Sequence, residues 1–297
     1  MTREIKLFEG EKGLFITGLI GFLLAGITAV FILFRGSVVL PEGNLGDAFS
    51  FNAAIGIFAI SIAAILPLAG FSPRKRKAIR RLFIIASLYA YAIETIQHFR
   101  GLNPRFSREG SVIDTVVGML FGVVSLLLII LCLLLTIQFF KASQRPFLII
   151  GIRYAFLSIL AANLAGIGMI LLEGRFVGSA GNLLVVHGLG FHALQTLVLP
   201  GWLLEKVQGR ERLKKRMIHF GSISWMFAIL LIGVQTVLAR SVFEFTFLPV
   251  LAGILLIVWL GTALFSIVLF INAVKDTKAD ETKCLEKPIT DQFTMIK

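Results

Sequence analysis

The chain of 297 residues is 57% hydrophobic and only 15% charged, with a mean hydropathy of +0.90, which excludes a water-soluble globule. Its formal charge of +12 does not indicate nucleic acid, because the basic residues stand in short clusters between apolar runs, the pattern that orients a membrane protein. Two cysteines, Cys132 in an apolar run and Cys284 near the end, form neither CxxC nor a paired framework, which argues against a disulfide scaffold or a structural zinc.

A spanning helix needs about 20 apolar residues, and runs of that length recur along the chain. After a short polar start, the first covers 14–34. It is too long for a signal-peptide core, lacks a small-residue cleavage site and reads as an uncleaved span. The second, 51–71, is interrupted by Pro67 and leads into a basic loop, Arg74 to Lys77 with Arg80 and Arg81. The third, 82–99, contains Glu94. The fourth, fifth and sixth cover 111–140, 147–172 and 183–204. A second basic loop, 205–216, precedes the seventh at 217–239, and the eighth covers 247–274. The polar stretch 275–297 is expected to be a disordered tail. The predicted class is an all-α, polytopic integral membrane protein with eight transmembrane helices.

Eight crossings return the chain to the side on which it began. Only six of the 29 Lys and Arg fall opposite the termini: Arg35, Arg100, Arg105, Arg108, Arg175 and Arg240. This asymmetry predicts cytoplasmic termini and basic loops touching anionic lipid. The absence of an Asn-x-Ser/Thr sequon is in keeping with a bacterial plasma membrane. A faint duplication is visible. Ile65-Leu66-Pro67 matches Val198-Leu199-Pro200, and Ile93-Glu94-Thr95-Ile96 matches Val234-Gln235-Thr236-Val237, at offsets of 133 and 141 residues. It divides a single transmembrane domain, 1–274, into two parallel four-helix halves, 1–146 and 147–274, a layout that often places sites at the repeat interface.

Ionisable groups inside a membrane are costly and mark pathways or sites. In the third span Ser87, Tyr91, Glu94 and His98 are spaced 4, 3 and 4, which puts them on one helical face, bordered by Gln97. The sixth span carries His187, His192 and Gln195 in a stretch with no charged residue from Phe176 to Leu204. At about 1.5 Å per residue, His98 and His187 lie roughly 5–6 Å below the outer surface, with Glu94 and His192 deeper. Matching depths predict an outward-facing polar pocket between spans three and six, lined by Tyr91, Glu94, Gln97, His98, His187, His192 and Gln195. The bland reading of such residues is interhelical glue, at about 0.6 kcal/mol each. By the same reasoning the outer arginines pair with outer acids, Arg153 snorkels towards the headgroups, and His219 is ordinary interfacial polarity.

The reading that uses the pocket fully is a proton-coupled carrier of a small molecule or ion, since Glu and His form proton relays. The first alternative is haem or a transition metal held by His98, His187 and His192, although rings at i and i+5 diverge by roughly 140°. An acid–base enzyme acting on a lipid or quinone and a structural protein without a site complete the set. The eight-span, two-half layout resembles that of haem A synthases, a resemblance of architecture alone. Histidines here lie in spans three, six and the start of seven rather than on four helices, and an outer cysteine pair is absent. The resemblance therefore carries no haem-synthase activity with it.

Overall fold

The apolar runs become helices because, in lipid, a backbone must satisfy its hydrogen bonds within itself. A computed structural model of the chain describes residues 6–285, and among these it has eight helices long and apolar enough to cross a membrane. In chain order they are α1 (Lys12–Arg35), α2 (Leu45–Ile65, continued as a 3₁₀ turn over Leu66–Ala69), α3 (Pro73–Phe99), α4 (Val112–Lys141), α5 (Pro146–Leu171), a sixth span broken into α6 (Leu183–Thr196) and α7 (Val198–Glu205), α8 (Glu211–Val237) and α9 (Phe247–Leu285). The last helix runs past the expected start of the tail to Leu285. The rest of that tail, 286–297, lies outside the described residues.

Local chemistry sets the boundaries. Pro73 and Pro146 open α3 and α5 at positions where a missing N–H costs nothing. Ser111 and Asp114 form a reciprocal capping box at the start of α4. Proline has no N–H to give the fourth carbonyl before it. At Pro67 the second span tightens into the 3₁₀ turn, and three residues before Pro200 the sixth span breaks at Leu197.

Each of the two stretches proposed as halves, 1–146 and 147–274, contains an unexpected feature, a two-residue β-hairpin between its first two spans. β1 (Val38–Val39) pairs with β2 (Gly43–Asn44), and β3 (Phe176–Val177) with β4 (Gly181–Asn182). Both end on an Asn whose side chain accepts from the N–H two residues on, Gly46 or Leu184, and so caps the next helix. Leu45 and Leu183, Pro73 and Glu211, and Phe99 and Val237 are each 138 residues apart. That spacing corrects the sequence alignment around Glu94 by three residues. The counterpart of Gln235 is Gln97, and both carbonyls accept from a backbone N–H in the following turn, at 3.2 and 2.9 Å. Gly101 and Ala239 both turn the chain with positive φ, +79° and +59°.

Within each half the first two helices approach closely through small residues. A Cβ on Gly18 would fall 2.7 Å from the Gly56 carbonyl, and one on Gly190 2.9 Å from that of Ser158, the usual way membrane helices gain contact. The halves meet along α2 and α6, where Phe58 and Phe191 pack edge to face at 5.2 Å. They meet again along α4 and α5, where Phe139 stacks on Phe156 at 5.3 Å. α3 packs on α1, α2 and α4, and α6 on α5, α8 and α2, so α2 stands between them.

Candidate functional site

The expected polar face of α3 is buried at Ser87, Tyr91, Glu94, Gln97 and His98. The hairpin completes one side of it. The Asn44 N–H donates to His98 Nδ1 at 3.1 Å. That bond uses the Nδ1 lone pair and puts the proton of the neutral ring on Nε2. Nε2 lies 3.3 Å from Glu94 Oε1, close enough for electrostatic attraction but too poorly aligned for a hydrogen bond.

The other side is closed by a residue read from sequence only as an outer-loop cation. Arg105 reaches back from the turn after α3, and its Nη2 donates to Glu94 Oε2 at 2.7 Å. Its guanidinium lies over the rings of Phe51 on α2 and Phe121 on α4, 5.2 and 4.8 Å from their centres. The turn that aims it is specified locally. Asn103 Oδ1 accepts from the N–H groups of both Arg105 and Phe106, and Gly118 leaves room for the Arg105 carbonyl, which a Cβ there would meet at 2.8 Å. Glu42, in the first hairpin, holds the turn down by accepting from Ser107 Oγ at 2.5 Å, Arg108 N at 2.8 Å and Asn103 N at 3.2 Å. Burial pushes the Glu42 carboxyl up, but these donors outweigh it and hold it below the usual carboxylate range.

Gln97 belongs to a neighbouring network. Its Nε2 donates to Asp114 Oδ1 at 2.9 Å, while Arg100 Nη1 donates to Gln97 Oε1 and to Asp114 Oδ1, both at 2.6 Å. Tyr91 points the other way, with its hydroxyl facing Gly21 on α1 and no hydrogen-bond partner. Pairing of arginines with acids recurs on the hairpin side at Arg175–Asp47 and Arg240–Glu244. Arg153 reaches the end of α4, where it donates to the Phe139, Phe140 and Ala142 carbonyls and so caps that helix. His219 Nδ1 lies 3.0 Å from the Tyr154 hydroxyl.

The polar residues of α6 scatter, because matching depth says nothing about azimuth. His187 Nδ1–H donates to the Ala162 carbonyl at 2.9 Å, which leaves the lone pair on Nε2. His192 is exposed and stands apart from the α3 face. Gln195 crosses the seam between the halves to donate to Ser61 Oγ on α2 at 2.6 Å. The expected pocket between α3 and α6 is thus replaced by a compact cluster of Glu94, His98 and Arg105. The three histidines do not assemble a haem or metal site. His98 Nδ1 accepts a backbone N–H and its Nε2 faces Glu94, His192 lies elsewhere, and no group of three potential metal ligands occurs among the described residues.

Comparison with protein-family models, curated proteins and solved structures returns no match to this chain, so the functional reading rests on the chemistry of the cluster.

Proposed function

We propose that the protein is a proton-coupled carrier of a small molecule or ion in a bacterial plasma membrane, with cytoplasmic termini and the hairpins facing outward. The observation that supports this most is the position of Glu94. It is a carboxylate only 1% exposed, held by an arginine that belongs to an external turn rather than to the bundle. Such a pair has two states. With Glu94 ionised, Arg105 is drawn in and the turn at 100–110 covers the cluster. With Glu94 protonated, the ion pair is lost and the turn is free to lift. A proton on one residue thereby changes access from one side, which is what coupled transport requires. The two halves and the breaks at Pro67 and Pro200 suit movement of one half against the other. At the cytoplasmic face Lys206 sits 4.2 Å over Trp202, an arrangement suited to anionic headgroups.

The complete pairing of Glu94 and Asp114 favours a second reading, a structural protein whose outer charges only fix its shape. Purified protein in liposomes carrying an internal pH dye separates the two. A panel of small carboxylates, amines and divalent ions is applied under an imposed proton gradient. The carrier reading expects solute-dependent proton flux that falls at least about tenfold in Glu94→Gln and survives in Gln195→Ala. Absence of such flux with every solute leaves the structural reading.

A further inference from the structure

We infer that Arg105 is the binding point for the carboxylate of a small organic acid with an apolar body, taken up together with one proton; the inference rests on the carrier reading and specifies its substrate. A guanidinium offers five N–H donors in a planar fork. Here only Nη2 has a protein acceptor, Glu94, while Nε and Nη1 have none among the described residues. The side chain is 35% exposed. The rings of Phe51 and Phe121 flank the guanidinium, and Tyr89 lies against Phe121 at 6.4 Å. Both forks of a guanidinium include Nη2, so once Glu94 gives up that donor a ligand finds a bidentate site for a carboxylate and aromatic walls for hydrocarbon. These are the two parts of a short-chain or aromatic monocarboxylate.

Charge balance supplies the proton. With Glu94 ionised, the Glu94–Arg105 pair is neutral, and an anion entering would leave an uncompensated negative charge in a low-dielectric site. A single proton on Glu94 restores neutrality and releases Arg105 to the ligand. The other groups facing the cluster are poor recipients. A proton on His98 Nδ1 would confront the Asn44 N–H donor at 3.1 Å. His187 is committed elsewhere, its Nδ1 lying 2.9 Å from the Ala162 carbonyl. Asp114 pairs with Arg100 at 2.6 Å and Asp47 with Arg175 at 3.4 Å, so neither adds a free charge. Anion and proton then favour each other's binding by the same factor.

The test is calorimetric titration of the full-length protein in detergent with acetate, butyrate and benzoate, in two buffers of different ionisation heat, which counts protons taken up per anion. The site predicts binding in the order benzoate, butyrate, acetate, with about one proton per anion. Arg105→Gln should weaken benzoate at least about tenfold, with Arg105→Lys in between because it keeps the charge and loses the fork. Glu94→Gln should bind with no proton uptake. Phe121→Leu, which leaves the ion pair intact, should weaken benzoate and leave acetate unchanged, so the proposal stays testable if an Arg105 variant misfolds. No heat with any of the three acids, undiminished binding in Arg105→Gln, or unchanged proton uptake in Glu94→Gln would each overturn it. Carboxylate binding without flux in liposomes would end the carrier reading and keep this site; proton flux without carboxylate binding would do the reverse.

Discussion

A buried carboxylate is tolerated only with a partner, and Glu94 has two, His98 Nε2 at 3.3 Å and Arg105 Nη2 at 2.7 Å. Removing one member of a buried ion pair commonly costs about 3–5 kcal/mol. Arg105 is a third exposed, so Arg105→Met is expected to cost less, about 2–3 kcal/mol. Glu94→Gln keeps an oxygen for Arg105 and should cost about 1 kcal/mol. Because the two residues share one interaction, the double variant should lose clearly less than the sum, as read from thermal unfolding in detergent; strict additivity would show that the pair is not coupled. The α3 half of the cluster was legible because a 4-3-4 spacing fixes one face of a helix whatever surrounds it. Arg105 was not, because its position depends on an Asn103 turn and on a gap at Gly118, and no periodicity describes either. One signal was available, the Asn103-Pro104-Arg105 sequence that begins five residues after His98, which is turn chemistry with a cation at its tip.

At the level of elements, the first hairpin and the 100–110 turn form one outer cover, joined through Glu42 and through Asn44 to His98. Glu42 is held below its ordinary value of 4.5. The docking it supports is therefore complete above that value and is lost as pH falls through the lower, folded one. Hydrogen exchange across 100–110, corrected for intrinsic rates, should rise on acidification below that ordinary value while the middle of α2 stays protected. Glu42→Gln should remove most of this pH dependence, whereas an unchanged profile would assign it to another group such as the neighbouring Glu109. The hairpins themselves were hidden in the sequence, since two-residue strands leave no alternation to detect. Gly43-Asn44-Leu45 and Gly181-Asn182-Leu183 were the visible trace, a repeated helix cap. The spans were legible because hydropathy over 20 residues needs no tertiary context. The break at Leu197 was not, although Pro200 signalled a weak point.

On the scale of the whole molecule, the two proposed halves carry unequal chemistry. Positions 138 residues beyond Glu94, His98 and Arg105 are Ile232, Thr236 and Phe243, so the second half keeps the backbone turns and has none of the charges. It contributes His187 and the seam, where Gln195 reaches Ser61. Depth along a helix was readable from sequence, and on that basis α3 and α6 were expected to face each other. Which neighbour each polar face meets was not, because spacing fixes a direction within one helix and not the helix that packs against it, and so α2 was not foreseen between them. The central claim is that the charge on Glu94 keeps the outer cover shut through Arg105. Spin labels at Arg108→Cys on the turn and Leu172→Cys beyond the hairpin-side end of α5 read this directly as a distance distribution in lipid nanodiscs. One narrow distance is expected with Glu94 present, and a longer, broader distribution in Glu94→Gln; identical distributions in the two proteins would contradict the account.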